Sequence, residues 1–305
     1  MKFSGYAFVV VFCSLAAFGI AAESKPETKP MIKPAHRPVT QVRCDKLQPL
    51  LCFESLHHGE QVTLSVSNQS YAPYTVYLRA TGVKNYQLSW QSAAHYVYQG
   101  KTKQVAFTLT AQDKTKARGW NYTYRWQRGR LNIRHDDTVI YQLPFAPGAK
   151  YMLSQGFNGF FTHKGADAFG VDFSMPMGSA VHVSRAGKVV AIKDDSKEGG
   201  AHERYRHKAN FVVIEHSDGT LGEYYHLQYQ GVKVKLGQSV KVGDLLGLSG
   251  NSGFSSAPHL HFSVHSTVSG TQGIGRRSHF IRFATQSGVE ILQTGKEYQS
   301  KTDRL

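Results

Sequence analysis

Between residues 60 and 145 apolar and polar side chains alternate in short runs. VTLSVSN sets Val62, Leu64 and Val66 on one face of an extended chain, and VKNYQLSW does the same with Tyr86, Leu88 and Trp90. QVAFTLTA aligns Val105, Phe107 and Leu109; NYTYRWQ aligns Tyr122, Tyr124 and Trp126; TVIYQLPF aligns Val139, Tyr141 and Leu143. Side chains alternate across a strand, so a period of two interrupted by polar turns predicts five or six short strands. Their number and spacing fit an Ig-like β-sandwich. The stretch gathers no acid, base and nucleophile together and reads as an accessory domain. Its tyrosines read as half-buried strand residues that could also stack on sugars.

Past FAPGAKY (145–151) glycines become dense and the strands stay short: SAVHVSRAGKVVAI, NFVVIEHSDGT, LGEYYHLQY, VKVKLGQSVKVGDLLGLSG and HLHFSVHS. Asp218-Gly219 between apolar runs signals a tight hairpin. No long helical period and no internal repeat is present. FIRFATQSGVEILQTGKEYQ adds two more short strands. The expected fold is all-β: a sandwich at 40–147, then a second, antiparallel β domain at 148–305.

The chain begins MKFSGYAFVVVFCSLAAFGIAAES, one lysine and an apolar stretch closing on small residues. Residues 1–22 read as a secretory signal peptide cleaved near Ala21 or Ala22; Gly5–Ala22 would also just serve as an uncleaved anchor. No later segment is apolar enough to span a bilayer, so the mature protein is expected to be exported, to a periplasm or beyond, with no stable membrane span. Residues 23–39 carry prolines at 26, 30, 34 and 38, each preceded by Lys or Arg, and read as an extended linker. Cys13 leaves with the signal. Cys44 and Cys52 remain, and an even pair in an oxidising compartment predicts a disulfide.

The formal net charge is +15, and losing residues 1–22 removes only Lys2, leaving +14. Such charge favours a polyanionic partner, which for an exported protein means wall polymers or anionic lipid. No nucleic-acid-binding motif is present.

Three places break the apolar strand pattern with groups that do chemistry. QGFNGFFTHKGADAFGVDF holds His163, Asp167 and Asp172; EYYHLQY holds His226 on a strand; PHLHF holds His259 and His261. On a strand His259 and His261 point the same way and Leu260 the other. Two imidazoles on one face can be two metal ligands, or one ligand and a proton-handling partner, or simply one product of a chain with 15 histidines. Burying imidazoles and a carboxylate is costly unless they pair or bind a cation. Two His and one Asp with a fourth position open make a zinc site suited to catalysis.

From about 150 to 265 the chain resembles the lysostaphin/LytM-type zinc metallopeptidases, which cut peptide bonds of bacterial peptidoglycan. The resemblance rests on the His163…Asp172 pair, MPMGSAV, AGKVV, HSDGT, EYYHL, GQSVKVGDLLGLSGNSG and PHLHF, in the family's order. It implies that His163, Asp172 and His261 bind one Zn2+, and that His226 and His259 act catalytically beside the metal-bound water. It implies a zinc endopeptidase acting on peptidoglycan stem peptides or cross-bridges; a catalytically silent or gated wall-binding relative that regulates another hydrolase is the alternative. The family's usual HxxxD spacing is met by His163 and Asp167. Asp172 is chosen because DFSMPMGSAV matches the run after the family's ligand Asp, which leaves Asp167 as a solvated loop residue. GQSVKVGDLLGLSG also resembles biotinyl-type carriers, but no modified Lys flanked by Met is present.

The other histidines read as structural: His182 and His216 at strand ends, His57, His58, His95 and His135 in the accessory domain, His265 exposed or supporting the site. The loop 197–210, KEGGAHERYRHKAN, is too polar for a core and either walls a substrate groove or is solvated.

Overall fold

The computed structural model of the chain describes residues 38–91, 93–270 and 273–302. The expected signal peptide and nearly all of the linker lie outside these. No helix among the described residues is long and apolar enough to cross a membrane.

Eight strands build the first unit: β1 (Val39–Cys44), β2 (Leu51–His58), β3 (Gln61–Asn68), β4 (Tyr74–Lys84), β5 (Tyr86–Leu88), β6 (Ala93–Tyr98), β7 (Thr102–Ala111) and β8 (Gly119–Arg128). They form two antiparallel sheets, ordered β1-β2-β3-β7-β5 and β6-β4-β8, which enclose one apolar core. Val62, Leu64 and Val66 of one sheet meet Val76, Tyr124 and Trp126 of the other there, as the alternation predicts. Cys44 and Cys52 face each other across β1 and β2 and are disulfide-bonded.

Two expected positions differ. Val105 is exposed, because Leu64 pairs with Phe107 and Ser65 with Val105, leaving Ala106 as an extra residue. A bulge of this kind shifts the alternation by one and turns Val105 outward. Trp90 is exposed because β5 ends at Leu88, before the alternation reaches it.

The remaining strands are β9 (Ile140–Gln142), β10 (Lys150–Gln155), β11 (Val171–Ser174), β12 (Ala180–His182), β13 (Gly187–Lys193) and β14 (Gly199–Gly200). There follow β15 (Phe211–Glu215), β16 (Leu221–Tyr225), β17 (Ser239–Val240), β18 (Leu245–Leu248), β19 (Gly253–Phe254) and β20 (His259–Val268). The last four are β21 (Gly275–Ser278), β22 (Arg282–Thr285), β23 (Gly288–Glu290) and β24 (Glu297–Gln299). A nine-stranded sheet runs β17-β13-β15-β16-β20-β11-β10-β24, with β21 also on β20. The run holding Tyr141 and Leu143 does not join the sandwich: β9 pairs parallel with β22, and both side chains enter the core of the large sheet.

The large sheet is covered on both faces near its centre. In FVVIE of β15, Val212 and Ile214 enter its own core while Val213 enters the sandwich core, together with Val190 and Leu221. Burial on both sides explains a continuous apolar run where a half-buried strand would alternate.

Candidate metal centre

Adjacent central strands carry the chemistry. β20 lies between β16 and β11, and Asp172 on β11 is the register partner of His261 on β20. Directly opposed residues share a face, so both side chains rise together while Leu260 and Phe262 enter the core. His163 arrives from the loop before β11, behind a 3-10 turn at Gly165–Asp167. The ligand atoms of His163, Asp172 and His261 all lie within 4.8 Å of one another, and all three residues are buried.

Each is held by its other polar atom. His163 Nδ1–H donates to Gly156 O at 2.8 Å, which leaves Nε2 facing Asp172 Oδ1 at 3.3 Å. His261 Nδ1 lies 2.7 Å from Asp172 Oδ1, and its Nε2 rests 3.2 Å from Ser263 Oγ. Gln155 Nε2 donates to Asp172 Oδ2 at 2.8 Å and to Thr162 Oγ1 at 2.9 Å. Two imidazole nitrogens and a carboxylate oxygen, each oriented by an outer hydrogen bond, form a donor set that fits a divalent cation. Gly170 gives them room: a Cβ there would stand 2.8 Å from His261 Cε1 and 3.0 Å from His163 Nε2.

Burial opposes ionisation of Asp172, but hydrogen bonds and charge from His163 and His261 outweigh it and hold the carboxyl well below its usual range. Burial also lowers His163, and contact with Asp172 reverses this to a net rise. In His261 burial prevails over Asp172 and the pKa falls.

His226 lies just past the end of β16. Continued alternation would send it into the apolar core, since Tyr224 already points there and Tyr225 is the register partner of His261. A left-handed backbone at 226 (φ 66°) instead turns the ring to within 4.5 Å of the His259 ring, centroid to centroid. Its Nδ1–H donates to Ser252 O at 2.7 Å, and the buried Nε2 has no hydrogen-bond partner among the described residues. Burial, then the neighbouring His259, drives its pKa well below 6.5, so the ring is neutral near pH 7. His259 is the least buried of these histidines; its Nδ1 is held by Ala257 O at 2.8 Å and its Nε2 lies 3.9 Å from Asp172 Oδ1.

Asp172, His226, His259 and His261 line one cleft with Gln155, Phe161, Thr162, Ala201 and Phe254. Phe160 and Phe161 beside it are 84% and 70% exposed. The 197–210 loop reaches the cleft through Ala201, and its Arg206 guanidinium stands 5.3 Å from the Phe254 ring centroid.

Residues 166–272 match the model of peptidase family M23. Over this segment the chain is similar to peptidase family M23. Over 150 residues the chain is 31% identical to an uncharacterized metalloprotease of Buchnera aphidicola subsp. Baizongia pistaciae, covering 47% of this chain and 36% of that one. It is 38% identical over 95 residues to the peptidoglycan DD-endopeptidase ShyA of Vibrio cholerae serotype O1, covering 31% and 19%. Among solved structures, lysostaphin from Staphylococcus simulans aligns at 32% identity over 38% of this chain and 42% of that one, with a TM-score of 0.29. The chain thus spans about a third or less of the length of these curated relatives.

Several expectations around the M23 site change. Asp167 is not a solvated loop residue: it is buried and ion-paired with Arg276 at 2.9 Å. His265 is buried beside Ser263 and Arg276. His216 directly follows β15 as a structural residue, as expected, buried with its Nδ1–H donating to Ala186 O. Gln155, Ser263, Ser252 and Arg276 were not singled out in the sequence. Gln155 had one readable signal, a polar residue ending the strand that precedes the ligand loop.

Proposed function

We propose that the protein is an exported zinc endopeptidase that hydrolyses peptide cross-links of bacterial peptidoglycan. The observation that carries this reading is the convergence of His163, Asp172 and His261 beside His226, whose Nε2 is buried without a partner. Of the common divalent metals, zinc suits two imidazoles and one carboxylate with a position left open. The M23 match and the peptidoglycan DD-endopeptidase among the relatives support the substrate class.

In this reading His163, Asp172 and His261 would hold a zinc ion, which would supply Lewis acidity toward a carbonyl and lower the pKa of water to about 7. His226 presents a neutral Nε2 to the cleft, fixed by Ser252 O, and takes the proton of the attacking water. His259, anchored at the more open rim, exchanges a proton with solvent and delivers it to the leaving amine. Phe161 and Phe254 wall the channel along which an extended peptide would lie. All five positions carry side chains able to perform these roles, which disfavours a silent wall-binding relative.

The test is digestion of purified sacculi with and without a zinc chelator, with released muropeptides identified by mass spectrometry. Loss of cross-linked dimers is expected, abolished by chelator and by His226→Ala. An unchanged profile from folded, zinc-loaded protein would overturn the assignment.

A further inference from the structure

Behind the metal centre lies a buried charged cluster that the reaction itself does not use. Along β20, His259, His261, Ser263, His265 and Thr267 form a polar row on the face opposite Leu260, Phe262 and Val264. Ser263 Oγ lies 3.2 Å from His261 Nε2 and 2.9 Å from His265 Nε2. Arg276 Nη2 reaches the same His265 nitrogen at 2.5 Å, and contacts Asp167 Oδ1 at 2.9 Å and Glu223 Oε2 at 3.1 Å. Ser263, His265, Arg276, Asp167 and Glu223 are all buried, and Glu223 also faces the half-buried Arg128 guanidinium.

We propose that Arg276 is a positioning residue for the metal centre, acting through His265 and Ser263 on His261 and through Asp167 on the His163 loop. The inference rests on the metal-site reading above.

A guanidinium donates and never accepts. Arg276 therefore requires a lone pair on His265 Nε2, which places that ring's proton on Nδ1. His265 Nε2 then has no proton to give Ser263, and its single lone pair is shared between the Arg276 N–H and the Ser263 hydroxyl. With its proton turned that way, Ser263 Oγ offers a lone pair to His261, whose proton settles on Nε2. The lone pair of His261 is left on Nδ1, the nitrogen that faces Asp172 and His163. A ligand nitrogen must be unprotonated, so the row holds His261 in the tautomer a metal needs. Arg276 also fixes the 3-10 turn between the other two ligands, since Asp167 stands four residues after His163 and five before Asp172.

The experiment titrates metal-free, full-length protein with Zn2+ against a chromophoric chelator. Ser263→Ala is expected to weaken binding roughly 10–100-fold, the range for an outer partner of a ligand, and Ser263→Thr, which restores the hydroxyl, to recover most of it. His265→Gln, whose carbonyl accepts from Arg276 and Ser263, is expected to bind more tightly than His265→Leu. Arg276→Met strands two carboxylates and can unfold the chain, so the Ser263 pair decides. Wild-type affinity in Ser263→Ala, or equal losses in the Ala and Thr variants, would overturn the positioning role. Failure of the wild type to bind Zn2+, or binding that survives His163→Ala, would overturn the metal site beneath it instead.

Discussion

Asp172 and His261 are register partners on neighbouring strands, with Asp172 Oδ1 2.7 Å from His261 Nδ1. Asp167, five residues earlier, meets Arg276 instead. The two aspartates therefore fail differently. Asp172→Asn is expected to lower zinc affinity by more than about a hundredfold, beyond the usual effect of an outer partner, in a folded protein. Asp167→Asn leaves the proposed ligand set complete but removes half of a buried ion pair, a change that costs about 3 kcal/mol or more. Metal content and chemical denaturation of both variants check this. Equal zinc loss without destabilisation in Asp167→Asn would assign the ligand wrongly.

Gly170 tests how tightly the proposed ligands are packed. The added Cβ of Gly170→Ala would press on His261 Cε1 and His163 Nε2. Zinc affinity is expected to fall about tenfold or more, as when an orienting partner is lost, and the apo protein to lose about 1–3 kcal/mol to the same overpacking. An unchanged dissociation constant would show that the rings have slack.

His216 sets a pH dependence of folding. Burial lowers its pKa from 6.5 to about 4, only partly opposed by the bond to Ala186 O. The unfolded chain thus takes up this proton first as pH falls. The stabilisation is complete above pH 6.5 and lost on descending to about 4, on the order of 3 kcal/mol. His216→Asn keeps a donor for Ala186 O and does not titrate, so its stability should slope less steeply than the wild type across that interval. Parallel curves from urea melts would refute the assignment.

Phe161 lines the cleft with most of its ring in solvent. Phe161→Ala should leave stability within about 0.5 kcal/mol, as exposed substitutions do. If peptide covers that ring, KM rises roughly tenfold with kcat little changed. Steady-state kinetics on a soluble muropeptide dimer would show it; unaltered KM would place the substrate elsewhere.

The period-two pattern made the sandwich face of Val62, Leu64 and Val66 legible, and the same rule put His259 and His261 on one side of β20. What escaped it were local departures from alternation and pairings between distant segments. One extra residue at Ala106 turned Val105 outward, and one left-handed residue turned His226 out of the core. Neither leaves a mark in composition, because both are set by a neighbouring strand or loop. Asp167 looked like a surface group, and His265 like one or a support of the site, because Arg276, the partner that offsets the cost of their burial, lies 109 and 11 residues further on.

Val190, Val213 and Leu221 belong to the large sheet and lie in the core of the sandwich. A chain cut where the pattern changes, near residue 148, would therefore end up with an aliphatic surface bare to water on each fragment. The two halves share too much of their interior to swing on a hinge, and in a calorimeter they should give one endotherm. The β-sandwich is then less a passenger on the large sheet than its back wall.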